Sequence, residues 1–436
     1  METKDLKFGE LDEGFTIKEA IEEAKRCLNC KNPLCIKGCP IENNIPGFIH
    51  QLSMGNIGAA MHIINEKSNL PAICGRVCPH EKQCVGHCVL NAKKRPIQVG
   101  KLERFAADFD GNMGLIRDKI PKKTRGKVAV IGSGPAGLTV AGDLAREGFN
   151  VMIFEGEQEA GGVLMYGIPE YRLPKDVVRK EVKKIEALGV TFITQCMVGQ
   201  AITVDDMFEQ GFDAVFIGSG TALPKSLDTP GYTLRGVTQS SYFLRMASLC
   251  NTGSIGREEV PVKQGDIVGV IGGGNVAMDA ARTALRMGAG KVYVLFRRTI
   301  DQMSALQTEY NEAVEEGVEF LWETTVTEFI GSNGKLEKIR VKTPEGENFM
   351  PIDRILLAIG SRPANRIVST TSGIEVDDTG YVITKERPYG MTTRKGVFAG
   401  GDVVHTPQTV VLAMKEAKQV AKGIAQFVDA KKLLEE

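Results

Sequence analysis

The sequence has no excess of charge of either sign, because its 436 residues include 54 lysines and arginines against 54 aspartates and glutamates. Binding to a nucleic-acid backbone needs a basic surplus, so nucleic acid is not an expected partner. The sequence also lacks any run of 18 apolar residues, which excludes a transmembrane helix. Residues 1–14 have mixed charge and no apolar stretch typical of a secretory signal. We therefore expect a cytoplasmic protein that does not contact membranes.

Apolar residues make up 42% of the chain, which is enough for several hydrophobic cores, and the length allows two or three domains. Two residue types stand out. There are 49 glycines, several of them clustered in short motifs, and 10 cysteines, eight of which lie between residues 27 and 88. In a reducing compartment such a cysteine cluster binds metal more often than it forms disulfides.

Residues 1–118 are predicted to be helical. Thr16 and Glu19 form a capping box at the first helix, and apolar periodicity predicts further helices over residues 45–54, 56–69 and 102–110. The cysteines between these helices are predicted to lie in turns, which are marked by Pro33, Pro40, Gly75 and Pro79.

After a basic linker, strands alternate with helices. A strand–turn–helix–strand unit over residues 128–154 recurs over residues 267–297. An internal duplication of this kind predicts two nucleotide-binding domains and an α/β fold. Residues 397–427 add a short strand, a glycine-rich turn and a final helix.

The eight clustered cysteines fall into two groups of four, spaced Cys27-x2-Cys30-x4-Cys35-x3-Cys39-Pro40 and Cys74-x3-Cys78-x5-Cys84-x3-Cys88. Thiolates are soft ligands, and eight of them suffice for two 4Fe–4S clusters. The first group is similar to the bacterial ferredoxin run, although its second gap is longer. Zinc and disulfides are the alternatives, and only one C-x2-C pair fits zinc.

The other two cysteines, Cys196 and Cys250, are interpreted as buried, inert thiols. A flavin-dependent disulfide reductase would need a redox-active cysteine pair in the nucleotide-binding region. These two are far apart in sequence and no cysteine follows Cys250. The sequence therefore argues against that class of enzyme.

The first nucleotide motif is Gly132-x-Gly134-x-x-Gly137, which follows a strand and opens a helix at Pro135 and Ala136. These glycines allow a tight turn, close approach of the backbone to a pyrophosphate, and close packing of helix on strand. Glu155 ends the next strand, where an acid hydrogen-bonds ribose hydroxyls. Near the end of the chain, Gly400-Gly401-Asp402 supplies a late carboxylate that can bind the ribityl chain of FAD.

The second motif occupies the same place in the second unit and reads Gly272-Gly273-Gly274-Asn275-Val276-Ala277. The strand that follows it ends in Phe296-Arg297-Arg298, where the first unit has Phe154-Glu155. An arginine at this place can pair with a 2′-phosphate, whereas a glutamate repels it. The second site is therefore predicted to prefer NADP(H) to NAD(H), unless the two arginines only form a solvated surface pair.

The chain resembles the small (β) subunit of NADPH-dependent glutamate synthase and its relatives, which include the large subunit of NADH-dependent ferredoxin:NADP oxidoreductase and the N-terminal half of dihydropyrimidine dehydrogenase. The motifs that carry the resemblance are the two cysteine groups, residues 73–79 (ICGRVCP), 102–105 (LERF), 132–137 (GSGPAG), 167–169 (GIP), 172–174 (RLP), 272–279, 296–298 (FRR) and 398–402 (FAGGD).

This resemblance implies an uneven set of cluster ligands. One cluster would bind Cys27, Cys30, Cys35 and Cys88. The other would bind Cys39, Cys78, Cys84 and, in place of a fourth thiol, Glu103. Cys74 would then be a bystander. A carboxylate ligand is chemically reasonable and would change the cluster's potential.

The resemblance also implies further nucleotide contacts and an arrangement of domains. FAD would contact Gly162, Leu164, Arg172 and Val410. The two crossings between the nucleotide domains would lie at residues 217–220 and at residues 358–360, which include Ala358 and Gly360. The domains would be a helical domain at 1–118 that binds two 4Fe–4S clusters, an FAD domain at 119–226 and 363–436, and an inserted NADP domain at 227–362.

The expected function is that of an FAD- and NADPH-dependent iron–sulfur oxidoreductase that passes electrons to a partner subunit. A nicotinamide delivers an electron pair, a flavin can divide that pair, and clusters carry single electrons. The chain contains no glutaminase domain, so it could not make glutamate alone. Two alternatives stay open: a subunit of a bifurcating ferredoxin:NADP oxidoreductase, and a freestanding NADPH:acceptor reductase with a small acceptor such as polysulfide. A third class is a non-enzymatic assembly module that binds zinc or clusters and retains an inactive flavin fold, and the intact Gly132, Glu155, Gly274 and Arg297 argue against it.

Overall fold

The structure is a computed structural model that describes residue 6, residues 8–116 and residues 119–435. Its helices are α1 (Ile17–Lys25), α2 (Leu34–Gly38), α3 (Ile45–Ser53), α4 (Ile57–Asn65), α5 (Pro71–Val77), α6 (Val99–Met113), α7 (Pro135–Arg146), α8 (Val163–Tyr166), α9 (Lys175–Ala187), α10 (Val204–Glu209), α11 (Ser240–Asn251), α12 (Asn275–Arg286), α13 (Gln307–Glu316), α14 (Arg366–Ser369) and α15 (Val410–Glu435).

Its strands are β1 (Lys127–Ile131), β2 (Asn150–Phe154), β3 (Thr191–Ile193), β4 (Ala214–Ile217), β5 (Leu223–Pro224), β6 (Val237–Gln239), β7 (Ile267–Ile271), β8 (Lys291–Leu295), β9 (Glu319–Leu321), β10 (Thr325–Ser332), β11 (Lys335–Thr343), β12 (Gly346–Pro351), β13 (Arg354–Leu357), β14 (Ser361–Arg362), β15 (Thr384–Glu386), β16 (Tyr389–Thr392) and β17 (Val397–Ala399). Short 3-10 turns lie at His80–Lys82, Val89–Lys93, Arg257–Glu259 and Ile300–Gln302.

The chain divides into two compact units. The larger unit comprises Asp12–Met165, Lys175–Leu223 and Arg362–Glu436. The smaller unit comprises Pro224–Ser361 together with two short segments, Tyr166–Pro174 and the described part of Met1–Leu11. The chain therefore passes between the units several times, and two of these crossings follow β4 and β13 closely.

The helices of the N-terminal segment pack around one core in the larger unit. Side chains such as Phe48, Ile49, Leu52, Met61 and Leu102 are buried there, and several cysteines pack against them. The predicted capping box is present, because the Thr16 side chain accepts from the Glu19 backbone and the Glu19 side chain accepts from the Thr16 backbone. Helix α6 is longer at both ends than the sequence pattern predicts, and α4 is shorter.

Two sequence predictions in this segment are wrong, because Cys35 lies inside α2 rather than in a turn and Gly75 does not mark a turn. Gly75 and Cys74 lie inside α5, which begins with Pro71 in its first turn. A Cβ atom on Gly75 would lie 2.6 Å from the backbone nitrogen of Arg104 on α6. The glycine is therefore needed for close packing of α5 on α6 rather than for chain reversal.

The sheet of the larger unit has seven strands in the order β15-β16-β17-β4-β1-β2-β3. The pairs from β17 to β3 are parallel, while β15, β16 and β17 pair with one another in antiparallel fashion. Strands β1 and β4 are almost fully buried, as expected for a parallel sheet that is covered on both faces. Helices α7 and α15 pack together next to this sheet.

The smaller unit has a parallel sheet of five strands in the order β6-β13-β7-β8-β9 and a separate antiparallel sheet, β10-β11-β12. Helix α12 packs on β7 and β8, with a core that includes Val268, Val270, Met278 and Val292. The structure confirms the predicted fold class: helices precede two Rossmann-like units. No helix of the described residues is both long and apolar enough to span a bilayer.

Candidate functional site

The carboxyl ends of four strands meet at one edge of the sheet in the larger unit. Ile131 at the end of β1 pairs in register with Phe154 of β2 and with Ile217 of β4. Ile217 in turn pairs with Ala399 at the end of β17. The residues that follow these strands are therefore neighbours, and they include the Gly132–Gly137 motif, the Gly400-Gly401-Asp402 motif and Glu155. Ligands of open parallel sheets bind at such an edge.

The loop between β1 and α7 has the form that the glycine motif predicts. Gly132 has a φ of +95°, and a Cβ atom on Gly137 would lie 1.9 Å from the carbonyl oxygen of Gly132. Above Gly134, in contrast, the structure leaves open space. Gly134 caps α7 without a side-chain hydrogen bond at its N-terminus. The N–H groups of Ala136 and Gly137 and the positive end of the helix dipole thus face a space that suits a pyrophosphate.

Glu155 lies beside this loop and is held by it. One carboxylate oxygen accepts hydrogen bonds from the Ser133 N–H, at 2.9 Å, and from the Ser133 hydroxyl. The other accepts from the Glu157 N–H at 2.9 Å. The Ser133 hydroxyl oxygen also accepts from the Gly161 N–H. The sequence pattern pointed to Glu155, but gave no sign that the serine inside the glycine motif would orient it.

The Gly161-Gly162 turn places another predicted residue near the same loop. Gly162 has a φ of +54°, and a Cβ atom there would lie 3.1 Å from the Cα of Gly134. Leu164 on α8 is fully buried, and its carbonyl oxygen accepts a hydrogen bond from Lys175 Nζ at 3.0 Å. The structure therefore brings Gly162 to the pyrophosphate loop, while Leu164 packs in the core behind it.

The late glycine motif also reaches this edge. A Cβ atom on Gly401 would lie 3.0 Å from Ala136 Cβ in the first turn of α7. The Gly401 N–H donates to Glu416 on α15, and the other oxygen of Glu416 lies 2.6 Å from Nε2 of His405. Burial raises the pKa of Asp402, whose carboxylate accepts from the Gln408 N–H. Val410 begins α15, close to this turn in sequence.

The smaller unit repeats the arrangement. Ile271 of β7 pairs in register with Leu295 of β8 and Leu357 of β13. A Cβ atom on Gly272 would lie 2.4 Å from the carbonyl oxygen of Ala358, so the turn accepts no side chain there. Gly274 caps α12 without a side-chain hydrogen bond, which leaves the N–H groups at its start, near Gly273 and Val276, available to phosphate.

Two loops flank this second site. The Asn275 side chain accepts from the Leu306 N–H at 2.9 Å, and the Ser304 N–H donates to the Gly273 carbonyl. Arg297 and Arg298 follow β8, and both are exposed. Gly360 follows β13 and has a φ of +92°, and its carbonyl oxygen accepts a hydrogen bond from the Lys225 N–H. The guanidinium groups are thus free to approach a ligand in the position that the comparison of the two units predicted.

Arg172 was expected to contact FAD, and the structure shows its partners within the smaller unit. Its guanidinium lies 2.9 Å from the carboxylate of Asp279 on α12 and 2.8 Å from Glu309 on α13. Next to it, the buried Tyr171 ring packs against Arg282 and Arg286 at 4.7 and 4.0 Å. This network could not be predicted from the sequence, because Tyr171 and Arg172 are more than 100 residues away from their partners on α12 and α13.

In the N-terminal segment, the structure gathers four of the predicted cluster ligands around one cavity. Cys27, Cys30, Cys35 and Cys88 all line it, together with apolar side chains such as Ile49. Burial raises the pKa of the Cys35 thiol to about 11, and proximity to Cys27 and Cys88 adds to the effect. Burial likewise raises the pKa of Cys27, with Cys30 and Cys88 contributing. These four thiols therefore lie close enough to interact electrostatically.

The second predicted set is also brought together. Glu103 on α6 is buried, and its negative charge contributes to raising the pKa of three thiols, those of Cys39, Cys78 and Cys84. The largest cause is burial for Cys39, to about 11, and for Cys84, and a hydrogen bond with Cys74 for Cys78. Burial raises the pKa of Glu103 itself to about 8, and the charge of Glu181 adds to this.

Cys74 competes with Glu103 for the fourth place in this set. Its thiol interacts with Cys78, but it also lies 3.5 Å from the sulfur of Met414 and 4.0 Å from the Ser68 hydroxyl. Neither neighbour belongs to the predicted ligand set, so Cys74 also contacts groups outside that set. Within the described residues, the structure thus shows five candidate donors where four are needed.

The donor chemistry fits iron–sulfur clusters, since all ten cysteines are free thiols and eight of them lie in the N-terminal segment. The described residues contain no group of three histidine, cysteine or acidic side chains placed to hold a single metal ion. The prediction that Cys196 and Cys250 are buried is wrong, because both are partly exposed. Cys196 lies in the loop after β3, and Cys250 lies in the last turn of α11.

Two nucleotide folds on one chain, next to a thiol-rich helical segment, define a pyridine-nucleotide-dependent flavin oxidoreductase with iron–sulfur clusters. Comparison with known proteins agrees. Residues 4–115 match the family described as dihydropyrimidine dehydrogenase domain II, 4Fe-4S cluster. Residues 126–417 match the family described as pyridine nucleotide-disulphide oxidoreductase. FprA from Mycobacterium tuberculosis has the same fold over 71% of this chain and 86% of its own, with a TM-score of 0.62 at 18% identity.

Two full-length relatives make the identification more specific. The glutamate synthase [NADPH] small chain of Halomonas elongata is 35% identical over 98% of this chain and 94% of its own length. That of Escherichia coli K12 is 32% identical over 98% of this chain and 96% of its own. The chain belongs to the glutamate synthase small-chain family. It is an oxidoreductase that uses FAD, NADP(H) and 4Fe–4S clusters.

Proposed function

We propose that the chain is an electron-transfer subunit that carries electrons between NADP(H) and a partner protein. The observation that carries this proposal is the joint placement of two thiol sets in the segment that precedes two nucleotide-binding folds. Cys27, Cys30, Cys35 and Cys88 line one cavity, and Glu103 interacts with the three thiols of the other set. When bound, a flavin accepts electron pairs and releases them singly, and each cluster carries one electron.

The residues of the chain have separate parts in this proposal. One cluster is held by Cys27, Cys30, Cys35 and Cys88, and the other by Cys39, Cys78, Cys84 and Glu103. In the larger unit, the turn at Gly132, Gly134 and Gly137 binds the FAD pyrophosphate, with Glu155 on the ribose and Asp402 on the ribityl chain. In the smaller unit, Gly273 and Gly274 bind the NADP(H) pyrophosphate, and Arg297 and Arg298 bind the 2′-phosphate.

The remaining proposed contacts complete these sites. Gly162, Leu164, Arg172, Gly401 and Val410 are proposed to contact FAD. Asn275, Val276, Ala358 and Gly360 are proposed to contact NADP(H). The domains are proposed to be 1–118, 119–226 with 363–436, and 227–362, as the family pattern suggests. Each of these assignments rests on the resemblance together with the loop geometry described above.

The partner is proposed to be a second, larger subunit that uses the electrons for its own chemistry. One observation supports an exit of electrons through the first thiol cavity. Its lining includes Leu28, Leu34 and Val89, whose side chains are 62%, 44% and 41% exposed. Apolar side chains exposed around a redox centre fit a protein contact. A cytoplasmic location is part of the proposal, since it would keep all ten free thiols reduced.

The test is an anaerobic titration of the full, cluster-loaded chain. We expect NADPH to bleach the flavin absorbance and then to produce the paramagnetic signal of a reduced cluster, with NADH much less effective. A Cys35→Ser variant should lose the signal and iron of one cluster. A Cys250→Ser variant is the matched control and should keep both. The proposal fails if the purified wild type contains flavin but no inorganic sulfide, or if NADPH reduces neither group.

A further inference from the structure

A buried carboxylate that no sequence motif marks lies next to the second thiol set. Glu181 is on α9, and its side chain is 1% exposed. Its Oε1 lies 3.0 Å from Nζ of Lys184, and Oε2 has no hydrogen-bond partner among the described residues. A buried charge with so few partners is costly, so its retention in a packed interior points to a role.

Glu181 faces a cavity of about 190 Å³ between three helices of the larger unit. Helix α5 contributes Ala72 and Arg76, and α6 contributes Ala107, Asp108, Gly111 and Asn112. Helix α9 contributes Val177, Lys180, Glu181 and Lys184. We call this space the α5–α6–α9 cavity. It is large enough for several water molecules and is lined by polar groups that could bind them.

The other charges of the cavity differ in how far they are neutralised. Arg76 forms a bidentate ion pair with Asp108, with nitrogen–oxygen distances of 2.9 and 2.7 Å. Lys180 donates to the side-chain oxygen of Asn112 at 3.1 Å and lies at the exposed end. Lys184, besides its ion pair with Glu181, lies 3.8 Å from Asp110. Lys184 therefore shares its charge between two carboxylates and compensates Glu181 only in part.

The cavity and the second thiol set share two helices. Ala107 lines the cavity and Glu103 lies one helical turn earlier on the same face of α6. On α5, Ala72 lines the cavity, and Cys78 follows the C-terminal end of the helix. The electrostatic influence of Glu181 reaches the Glu103 carboxylate. A fixed charge at this place acts through a protein interior of low dielectric constant, where it is screened far less than at the surface.

We propose that the buried carboxylate of Glu181 lowers the reduction potential of the cluster held by Cys39, Cys78, Cys84 and Glu103. The positive charge of Lys184 limits this effect. A negative charge near a cluster disfavours the addition of an electron, and net charge and solvent access are among the factors that set cluster potentials. The inference rests on the proposed function, because it needs a cluster in the second thiol set.

The test is an anaerobic redox titration followed by electron paramagnetic resonance, at one alkaline pH, on the full cluster-loaded chain. Glu181→Gln keeps the shape of the side chain and removes its charge, so the potential of one cluster should rise. Lys184→Met removes the compensating charge, so the same potential should fall. Glu186→Gln makes the same charge change at an exposed position of α9 and is the matched control, for which no shift is expected.

The two possible failures can be told apart. Wild-type protein without inorganic sulfide would contradict the proposed function and this inference with it. If the wild type and both variants contain full iron and sulfide, but neither variant moves a potential in its expected direction relative to Glu186→Gln, only the inference is overturned. If Glu181→Gln does not fold, Lys184→Met alone decides, since a potential that is unchanged or raised in that variant would reject the proposed effect.

Discussion

At the scale of single residues, the contrast between Glu155 and Arg297 carries the assignment of the two nucleotide sites. Both residues follow the second strand of their unit, immediately after Phe154 and Phe296. Glu155 is buried and hydrogen-bonded to Ser133, which suits two ribose hydroxyls, whereas Arg297 is exposed and can reach a 2′-phosphate. Comparison of the residues that follow β2 and β8 thus predicts FAD for the first site and NADP(H) for the second. It succeeds because the loops after β1 and β7 have similar backbone geometry.

An Arg297→Glu variant should weaken NADPH binding strongly and NADH binding little. Loss of a hydrogen bond to a charged group costs about 1.5–3 kcal/mol, and the new carboxylate adds repulsion. We therefore expect the Kd for NADPH to rise at least about 10- to 150-fold. Titration of the flavin-loaded chain with each dinucleotide measures this. Arg235→Glu, at an exposed position elsewhere in the smaller unit, is the control, and equal losses for NADPH and NADH would reject the assignment.

Some properties of single residues could not be predicted from the sequence. Thiol spacing shows that clusters are present, yet it does not divide eight cysteines between two of them. The division came from the resemblance, and the structure adds the cavity shared by Cys27, Cys30, Cys35 and Cys88. Glu181 and Lys184 could not have been found, because charged residues four or fewer positions apart on a helix usually form a solvated face. Only packing against α5 and α6 buries this pair.

At the scale of elements, the helices α5 and α6 carry the two candidates for the fourth donor, Cys74 and Glu103. Gly75 lets the two helices approach closely, so Cys74 on α5 and Glu103 on α6 both come near Cys78. Apolar periodicity predicted α3, which buries one side, and short apolar runs predicted the buried strands β1 and β2. It missed α5, since a seven-residue helix with internal cysteine and glycine has no clear period.

Substitution on each helix separates the candidates. Cys74→Ser should leave iron and sulfide at the wild-type level, with a stability loss on the order of 1 kcal/mol from the changed contact with Met414. Glu103→Ala should lower the iron content or change the paramagnetic spectrum of one cluster, because it removes the proposed ligand. Iron and sulfide analysis with spectroscopy measures both. Loss of a cluster in Cys74→Ser, together with an unchanged Glu103→Ala, would make Cys74 the ligand instead.

At the scale of the whole molecule, each compact unit is built from several separate segments of the chain. The smaller unit includes Tyr166–Pro174 and the described part of Met1–Leu11 as well as Pro224–Ser361. The Leu11 N–H donates to the Tyr171 carbonyl, and Arg172 pairs with Asp279 and Glu309. Motif spacing predicts an inserted domain, but it cannot predict such segments, because their contacts depend on side chains far away in the sequence.

Removal of iron should therefore destabilise one part of the chain selectively. The helices α1 to α6 are between 5 and 15 residues long, and helices of this length are marginal without tertiary support. Cys84 is buried in their core, while Cys27, Cys35, Cys39 and Cys88 pack against it. Cluster binding is thus coupled to the folding of this segment, as for other metal sites. The smaller unit has its own core, which contains no cluster ligand.

Hydrogen exchange with mass spectrometry, before and after anaerobic chelation of iron, measures this difference. We expect amides in the helices α1 to α6 to lose most of their protection, whereas those of β7, β8 and α12 should keep theirs. Burial raises the pKa of Cys35 and Cys39 to about 11, so their thiols would be protonated once iron is removed. Reconstitution should then release protons and restore protection. Unchanged exchange of α1 to α6 after complete iron removal would show that the helices fold independently of the clusters.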